Sequence, residues 1–306
     1  MLERKIESNN FYRRNELNKN NKQIYMIHLA ILLFGSAGVI GKYVSVSALI
    51  VTLWRVVTSA IFLFALIKIK KIDYKIANRK DLKFFIIAGI VMAIHWTSFM
   101  HAIQVSSVAI GTITFATFPL YVTFLEPFFF EEKLKFRNII EALLIIVGVL
   151  ITIPEFSLGN STTQGVLWGI LGSFTYAILS LMNRKLTSKY VGVTVCFYEQ
   201  LVAAIILLPS AFILKPVISG QEMILLTVLG VICTAVAHTL FVSGLKTVKV
   251  QTASIISGME PVYATFLAFI FLGNAPSIKE VIGGIVILTV TIYSSLRSGK
   301  ELKSEK

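Results

Sequence analysis

FPLYVTFLEPFF, residues 118–129, returns as EPVYATFLAFIF at 260–271, at a constant offset of 142 residues. Pro119 falls on Pro261, Tyr121 on Tyr263, and Thr123-Phe124-Leu125 on Thr265-Phe266-Leu267. Apolar bias alone does not produce this match, because Pro and Tyr number only 7 and 10 in 306 residues. A repeat at a fixed offset means one structural unit used twice. Both copies lie inside long apolar runs, so the next question is which solvent surrounds them.

Composition answers it. The chain is 56% hydrophobic and 15% charged, with a mean hydropathy of +0.78, where an average soluble chain is about 25% charged. No soluble core of this size hides so much apolar surface, whereas a bilayer does. A span takes roughly 20 mostly apolar residues, and ten segments qualify: 24–42, 46–67, 82–103, 106–128, 138–154, 164–183, 193–213, 221–243, 250–272 and 280–296. In hydrocarbon every backbone N–H and C=O needs an internal partner, so these runs read as helices. They lack the alternation of barrel strands. The expected fold is an all-α integral membrane protein with ten transmembrane helices. The repeat sets the fourth span opposite the ninth, so each half holds five. An odd number turns the second half over, giving two inverted five-helix repeats, 24–155 and 164–296, as in secondary transporters with a midplane substrate site.

The net charge of +13 first points to nucleic acid or anionic lipid. Its distribution points instead to membrane loops, with lipid and not nucleic acid as the partner. With the N-terminus inside, 25 of the 29 Lys and Arg fall on the cytoplasmic side. The other face holds Lys42, Lys215 and Lys279, and Arg55 lies within a span. Both ends are therefore cytoplasmic by the positive-inside rule, in a cell membrane of the bacterial inner-membrane kind. Residues 1–23, rich in Asn, Lys, Arg and Glu, read as a disordered cytoplasmic tail, and 297–306 as a second tail. The first apolar run begins near Ile24 behind that polar leader and lacks a cleavage pattern, so it reads as retained. Cys196 and Cys233 lie in apolar segments and give neither a disulfide framework nor a metal spacing.

Four stretches then resemble the EamA-type carriers of the drug/metabolite transporter superfamily. LLFGSAGVIGKYV (32–44) resembles their Gly-rich first helix ending in Lys, and LWRVVTSAIF (53–62) their second, with an aromatic-flanked Arg. GVLWGILGSFTYAILSLMNRKL (165–186) fits the sixth, and MEPVYATFLAFIFLGNAP (259–276) resembles the Glu-Pro-containing ninth and its loop. The resemblance spans nearly everything after residue 24. It implies ten helices, inverted five-helix repeats and transport of small metabolites, often outward. Two departures stand out: Phe118 occupies the place of Glu260, and the Gly-Glu pair common after helices 4 and 9 is Glu131-Glu132 and Gly273-Asn274 here.

Ionisable groups within spans cost several kcal/mol unless paired or wetted, which makes them functional candidates. Arg55 carries a permanent planar charge that can grip a carboxylate at two points. It reads either as an anchor for an amino acid or organic acid, or as an internal ion pair with Glu199 or Glu260. Glu260 stands before Pro261, which removes a backbone donor and frees a carbonyl one turn earlier. It reads as a proton carrier or as a structural carboxylate bonded to a neighbouring helix. His95 and Glu199 are further proton-coupling candidates, His95 with the competing reading of a helix-to-helix bond. Trp54, Trp96, Tyr121 and Tyr263 could wall a substrate site or simply pack, and His238 carries the same two readings as His95, a bond to a neighbouring helix or a proton relay. Gly35, Gly38 and Gly41 read as close helix packing. They do not form a phosphate loop, since the spacing before Gly41-Lys42 is wrong and Tyr43 replaces the required hydroxyl residue. Asn160-Ser161-Thr162 matches a glycosylation sequon by chance composition.

No nucleotide site, metal set or cofactor motif is present in the sequence, so the leading reading is a secondary-active, non-enzymatic exporter of amino acids or related carboxylates, monomeric or homodimeric. A multidrug or cation efflux carrier is the alternative within transport, and a membrane-embedded lipid enzyme the alternative outside it.

Overall fold

The computed structural model describes residues 2–130, 136–153, 157–248 and 250–304. Every regular element among them is a helix. The elements are α1 (Leu2–Tyr43), α2 (Ala48–Ile69), α3 (Arg79–Val105), α4 (Val108–Phe115), α5 (Phe118–Phe130), α6 (Phe136–Thr152) and α7 (Ser161–Leu186). Then follow α8 (Gly192–Leu207), α9 (Pro209–Leu214), α10 (Gly220–Gly230), a π-helical turn (Val231–Val236), α11 (Ala237–Gly244), α12 (Val250–Ser257), α13 (Glu260–Leu272) and α14 (Ile278–Ser304). Seven stretches are long and apolar enough to cross a membrane: Gln23–Tyr43, Ala48–Ile69, Arg79–Val105, Val108–Phe130, Ser161–Thr187, Gly192–Leu214 and Gly220–Gly244.

Seven of the ten expected spans fall on these stretches, the one expected at 280–296 lies within α14 without being among them, and three further differences stand out. The span at 138–154 is the shorter apolar helix Ile139–Thr152. The span at 250–272 is two pieces, α12 and α13, of which only Glu260–Leu272 stands as an apolar helix of some length. The polar leader, expected as a tail, continues α1 back to Leu2, while the apolar stretch begins at Gln23. Glu131, Glu132 and Lys133 lie outside the described residues.

The offset of 142 reappears in the element boundaries. Adding it to Val108–Phe115 gives Val250–Ser257, and adding it to Phe118–Phe130 gives Glu260–Leu272. Phe136, the start of α6, moves to Ile278, the start of α14. Both copies of the repeated helix break over two residues, Ala116-Thr117 and Gly258-Met259, just before Pro119 and Pro261. A proline has no N–H to close the preceding turn, and its ring collides with the carbonyl four residues back. In the first copy that carbonyl belongs to Phe115, and the Ser173 hydroxyl donates to it at 3.1 Å.

The two halves interleave through matched contacts. α3 packs on α7 as α11 packs on α1, and α4 and α5 pack on α7 as α13 packs on α1. α2 meets its counterpart α8, and α6 meets α14. Close approach depends on glycine at the crossings. A Cβ at Gly35 would lie 3.1 Å from the Ala264 nitrogen and Tyr263 Cβ, which confirms that part of the α1 glycine run as a packing surface. Asn160 is spent as a helix cap, its Oδ1 accepting from the Thr162 and Thr163 N–H groups.

Candidate functional site

The centre of the interleaved bundle encloses a small cavity lined by Phe34, Arg55, His95, Trp96, Tyr176 and Glu260, with Ala37, Phe99 and Phe115 completing the wall. Its volume is about 20 Å³, room for about one water. Drug-sized ligands occupy roughly 300–1,000 Å³, so no metabolite fits until the helices part.

α2 delivers Arg55. Its buried stripe runs through Val51, Thr52, Arg55, Ser59 and Leu63, one face of a helix that packs against α8, α10 and the π-helical turn. Gly230 lets α10 reach this stripe, since a Cβ there would sit 3.1 Å from the Arg55 Cα and carbonyl oxygen. Arg55 is 2% exposed. Its Nε donates to Thr234 Oγ1 at 2.9 Å, and that hydroxyl donates in turn to the Leu229 carbonyl five residues back. The five-residue reach is the geometry of the π-helical turn, a feature that recurs at functional sites. The guanidinium carbon stands 4.0 Å from the centroid of the Trp96 ring, a cation–π contact worth about 2 kcal/mol when desolvated. Nη1 is buried without a hydrogen-bond partner. A buried charged donor left unmatched costs free energy, so Arg55 has binding capacity to spend.

The break before Pro261 delivers Glu260 at the first turn of α13. The residue is 2% exposed, and no described group hydrogen-bonds its carboxylate. It faces Arg55 across the cavity, within electrostatic reach, and no direct ion pair joins the two. Cation and anion line the same small cavity without a direct bond, among aromatic rings.

His95 belongs to the wall in another role. Its Nδ1 lies 2.8 Å from the Gly172 carbonyl, and a carbonyl only accepts, so Nδ1 is the donor. The ring is stacked among Phe99, Phe115 and Tyr176. This is the helix-to-helix bond between α3 and α7 that the sequence offered as the competing reading. Trp96 joins the cavity. Trp54, Tyr121 and Tyr263 do not: Trp54 donates from Nε1 to Thr227 Oγ1 at 3.2 Å, Tyr121 meets Phe174 edge-on, and Tyr263 packs on Gly35. Glu199 does not pair with Arg55 either. It turns inward from α8, fully buried, and meets His238 Nε2 at 3.1 Å. Cys196 brings a third ligand-type atom within 4.8 Å of those two, but Glu199 and His238 already spend Oε2 and Nε2 on each other. We read a hydrogen-bonded pair there, not a metal centre.

Sequence reasoning missed Phe34, Phe99, Phe115 and Tyr176. For Tyr176 a signal existed: Gly169, Ser173, Tyr176, Ser180, Asn183 and Thr187 recur at alternating steps of four and three, a small and polar stripe down one face of α7. All six are buried.

The EamA-like transporter family matches residues 21–153 and, a second time, 163–296. The chain belongs to that family. The double match falls on the two halves defined by the offset of 142. An uncharacterized transporter of Archaeoglobus fulgidus is 26% identical over 86% of this chain and 92% of its own length. The S-adenosylmethionine uptake transporter of Rickettsia felis is 23% identical over 72% of this chain and 74% of its own. A solved crystal structure superimposes with a TM-score of 0.67 at 16% identity, covering 92% of this chain and 98% of the other, a likeness in fold. The protein is thus a multi-pass membrane transporter acting on a small molecule.

Proposed function

We propose that this EamA-family protein is a secondary-active transporter of amino acids and related carboxylates, working outward across the cell membrane by alternating access. The carrying observation is the unpaired pair: Arg55, with Nη1 unmatched, and Glu260 face each other across an aromatic cavity between the two halves. A solute with both a carboxylate and a cationic group satisfies each wall at once. The carboxylate takes the Arg55 fork, and the cation takes Glu260 with the rings of Phe34, Tyr176 and Phe115 around it. Ten crossings in two inverted five-helix repeats supply the mechanism: the halves rock about a central site. The matched boundaries of α4–α6 and α12–α14 and the double family match support that reading.

The name of the Rickettsia relatives sharpens the choice of probe. S-adenosylmethionine carries a carboxylate, an α-ammonium and a sulfonium, so it offers an anion to Arg55 and a cation to Glu260, and it makes uptake the competing direction. Multidrug efflux of lipophilic cations is the second reading, favoured by Glu260 and the aromatic wall and opposed by Arg55.

The test is flux of labelled S-adenosylmethionine and L-methionine in proteoliposomes, with tetraphenylphosphonium as the lipophilic cation. Arg55→Ala is expected to lower amino-acid flux about 10- to 100-fold, the worth of about 1.5–3 kcal/mol for a charge-assisted contact. Glu260→Gln is expected to lower it comparably, most for S-adenosylmethionine with its additional sulfonium cation. Undiminished flux in both variants would overturn the site, and tetraphenylphosphonium transport alone would favour the efflux reading.

A further inference from the structure

The substrate cavity is not where the bundle keeps all of its buried ionisable groups. One helical turn and more towards the cytoplasmic end of α7, Glu199 and His238 form a second site with no exposure to solvent, their side chains 0% accessible. If Nε2 donates to Oε2, the two remaining polar atoms of the pair are acceptors. Glu199 Oε1 and His238 Nδ1 are both buried without a partner, and so is Asn183 Oδ1 nearby on α7. The pair thus keeps two acceptor atoms unspent, with Asn183 beside the carboxylate as an amide donor. With the carboxyl donating to Nε2 instead, Nδ1 carries a hydrogen and is a donor, so that arrangement is the pair with one proton added.

The surroundings connect this place to the cavity. The Tyr176 hydroxyl, buried beside Ser180, is within electrostatic reach of both Glu260 and Glu199. Ser180 and Asn183 continue the same face of α7 from Tyr176 towards Glu199. Every element packed against the pair contributes a neighbour. Cys196 comes from α8 itself, Tyr176 from α7, and His95 from α3, with Arg55 of α2 behind His95. Cys233 of the π-helical turn faces Arg55. Phe34 of α1 and Trp96 of α3 lay their rings on His238 at 6.5 and 5.5 Å, and α13 offers Glu260 through Tyr176. Trp96 therefore touches Arg55 with one part of its surroundings and His238 with another.

We propose that Glu199 and His238 are the proton-coupling site of this transporter, separate from the substrate cavity and joined to it by Tyr176 and Trp96. The inference rests on the transport reading above. One proton adds to the pair's vacant acceptor when the cytoplasmic side is open, and leaves by the same atom when the other side opens. Glu199 and His238 lie outside the lining of the substrate cavity and bind only the proton. Glu260 and His95, the other proton-coupling candidates, are assigned instead to the substrate wall and to the α3–α7 bond.

The experiment reads the proton directly, so it does not depend on knowing the solute. The full chain in nanodiscs, with Trp54 and Trp168 replaced by Phe, keeps Trp96 as its single tryptophan. An imidazolium beside an indole quenches its fluorescence, so the emission is expected to fall in one step as the pair takes up its proton on acidification. His238→Gln is expected to flatten that step, His95→Gln to preserve it, and Glu199→Asp to keep it. In proteoliposomes with labelled S-adenosylmethionine, Glu199→Gln is expected to keep counterflow and to lose accumulation driven by a pH gradient. A flat parent curve overturns the proposal, and so does an unchanged step in His238→Gln or undiminished gradient-driven accumulation in Glu199→Gln. Absence of any S-adenosylmethionine flux in the parent would count against the substrate reading while leaving the fluorescence result to decide the proton site.

Discussion

The breaks at Ala116-Thr117 and Gly258-Met259 are the same backbone device with opposite chemistry. Each interrupts a repeated helix two residues before a proline, and each restarts it with a buried side chain, Phe118 or Glu260. In the first half Phe118 stacks against Phe115 and meets Tyr176 edge-on. The break is fastened to α7, where Ser173 donates to the freed Phe115 carbonyl and lies 2.9 Å from Thr117 Oγ1. In the second half Gly258 and Met259 replace Ala116 and Thr117, so the break itself carries no hydroxyl, and the carboxylate of Glu260 enters the cavity. Duplication supplied the geometry twice, and the sequences then assigned structure to one copy and charge to the other.

The largest expected effect comes from forcing the first break to copy the second. Phe118→Glu puts a carboxylate among the rings of Phe115 and Tyr176 at a buried position. An uncompensated buried charge costs about 3–5 kcal/mol, and denaturant titration in detergent should show a loss of that size. A loss below about 1 kcal/mol would mean that the first break has water access and is the functional equal of the second. The reverse swap is next. Glu260→Phe fills the cavity wall as Phe118 does and should keep the fold while reducing flux about 30- to 100-fold, roughly 2–3 kcal/mol at 25 °C. Flux within threefold of the parent would remove Glu260 from the binding site.

Most of the helices were legible in the sequence because hydrocarbon demands long apolar runs and tolerates little else. Cation placement and the match around Pro119 and Pro261 added a direction and a pairing. The breaks were only half legible: the prolines announced a freed carbonyl, but the loss of helical hydrogen bonds over two residues depends on what α7 and α1 offer in return. Arg55, His95, Trp96 and Glu260 could be singled out because an ionisable or amphipathic side chain in lipid needs a reason. Their arrangement could not, since whether Arg55 meets Glu199 or faces Glu260 is set by helix rotation. Trp54 illustrates the same limit. It neighbours Arg55 in the chain but points about a quarter-turn away on the helix, to Thr227. The pairing of Glu199 with His238 was hidden because the residues lie on different helices with no shared spacing.

A smaller effect is expected where the two halves are glued. Gly35 sits at the crossing of α1 with α13, directly behind the second break. A Cβ there would be 3.1 Å from the Ala264 nitrogen, a backbone atom that does not yield as a side-chain tip would. Gly35→Ala should cost about 1–3 kcal/mol by overpacking and should slow flux with it, because α13 carries Glu260. Gly172, on α7 behind the first break, has its nearest such contact at 3.4 Å, with the Phe99 nitrogen. Gly172→Ala should therefore be the milder of the two in both stability and flux. The opposite ranking would show that α7, not α13, is the element whose position transport depends on.

The finest distinction is carried by one hydroxyl. Ser173→Ala unfastens the first break by removing the donor to the Phe115 carbonyl, which makes it resemble the second break without adding charge. A buried hydrogen bond is worth about 0.5–1.5 kcal/mol net, and more when it leaves a polar group stranded, so stability should fall by about 1 kcal/mol. Flux should stay within about threefold of the parent, since neither Arg55 nor Glu260 touches this residue. That combination separates the two roles: loss of stability with preserved flux marks the first break as scaffold. If Ser173→Ala instead lowered flux as far as Glu260→Phe, the first break would be moving during transport, and the division of labour between the halves would fail. If it raised flux, the fastening would be a brake on a motion both halves share. The two breaks would then differ in chemistry but not in mobility.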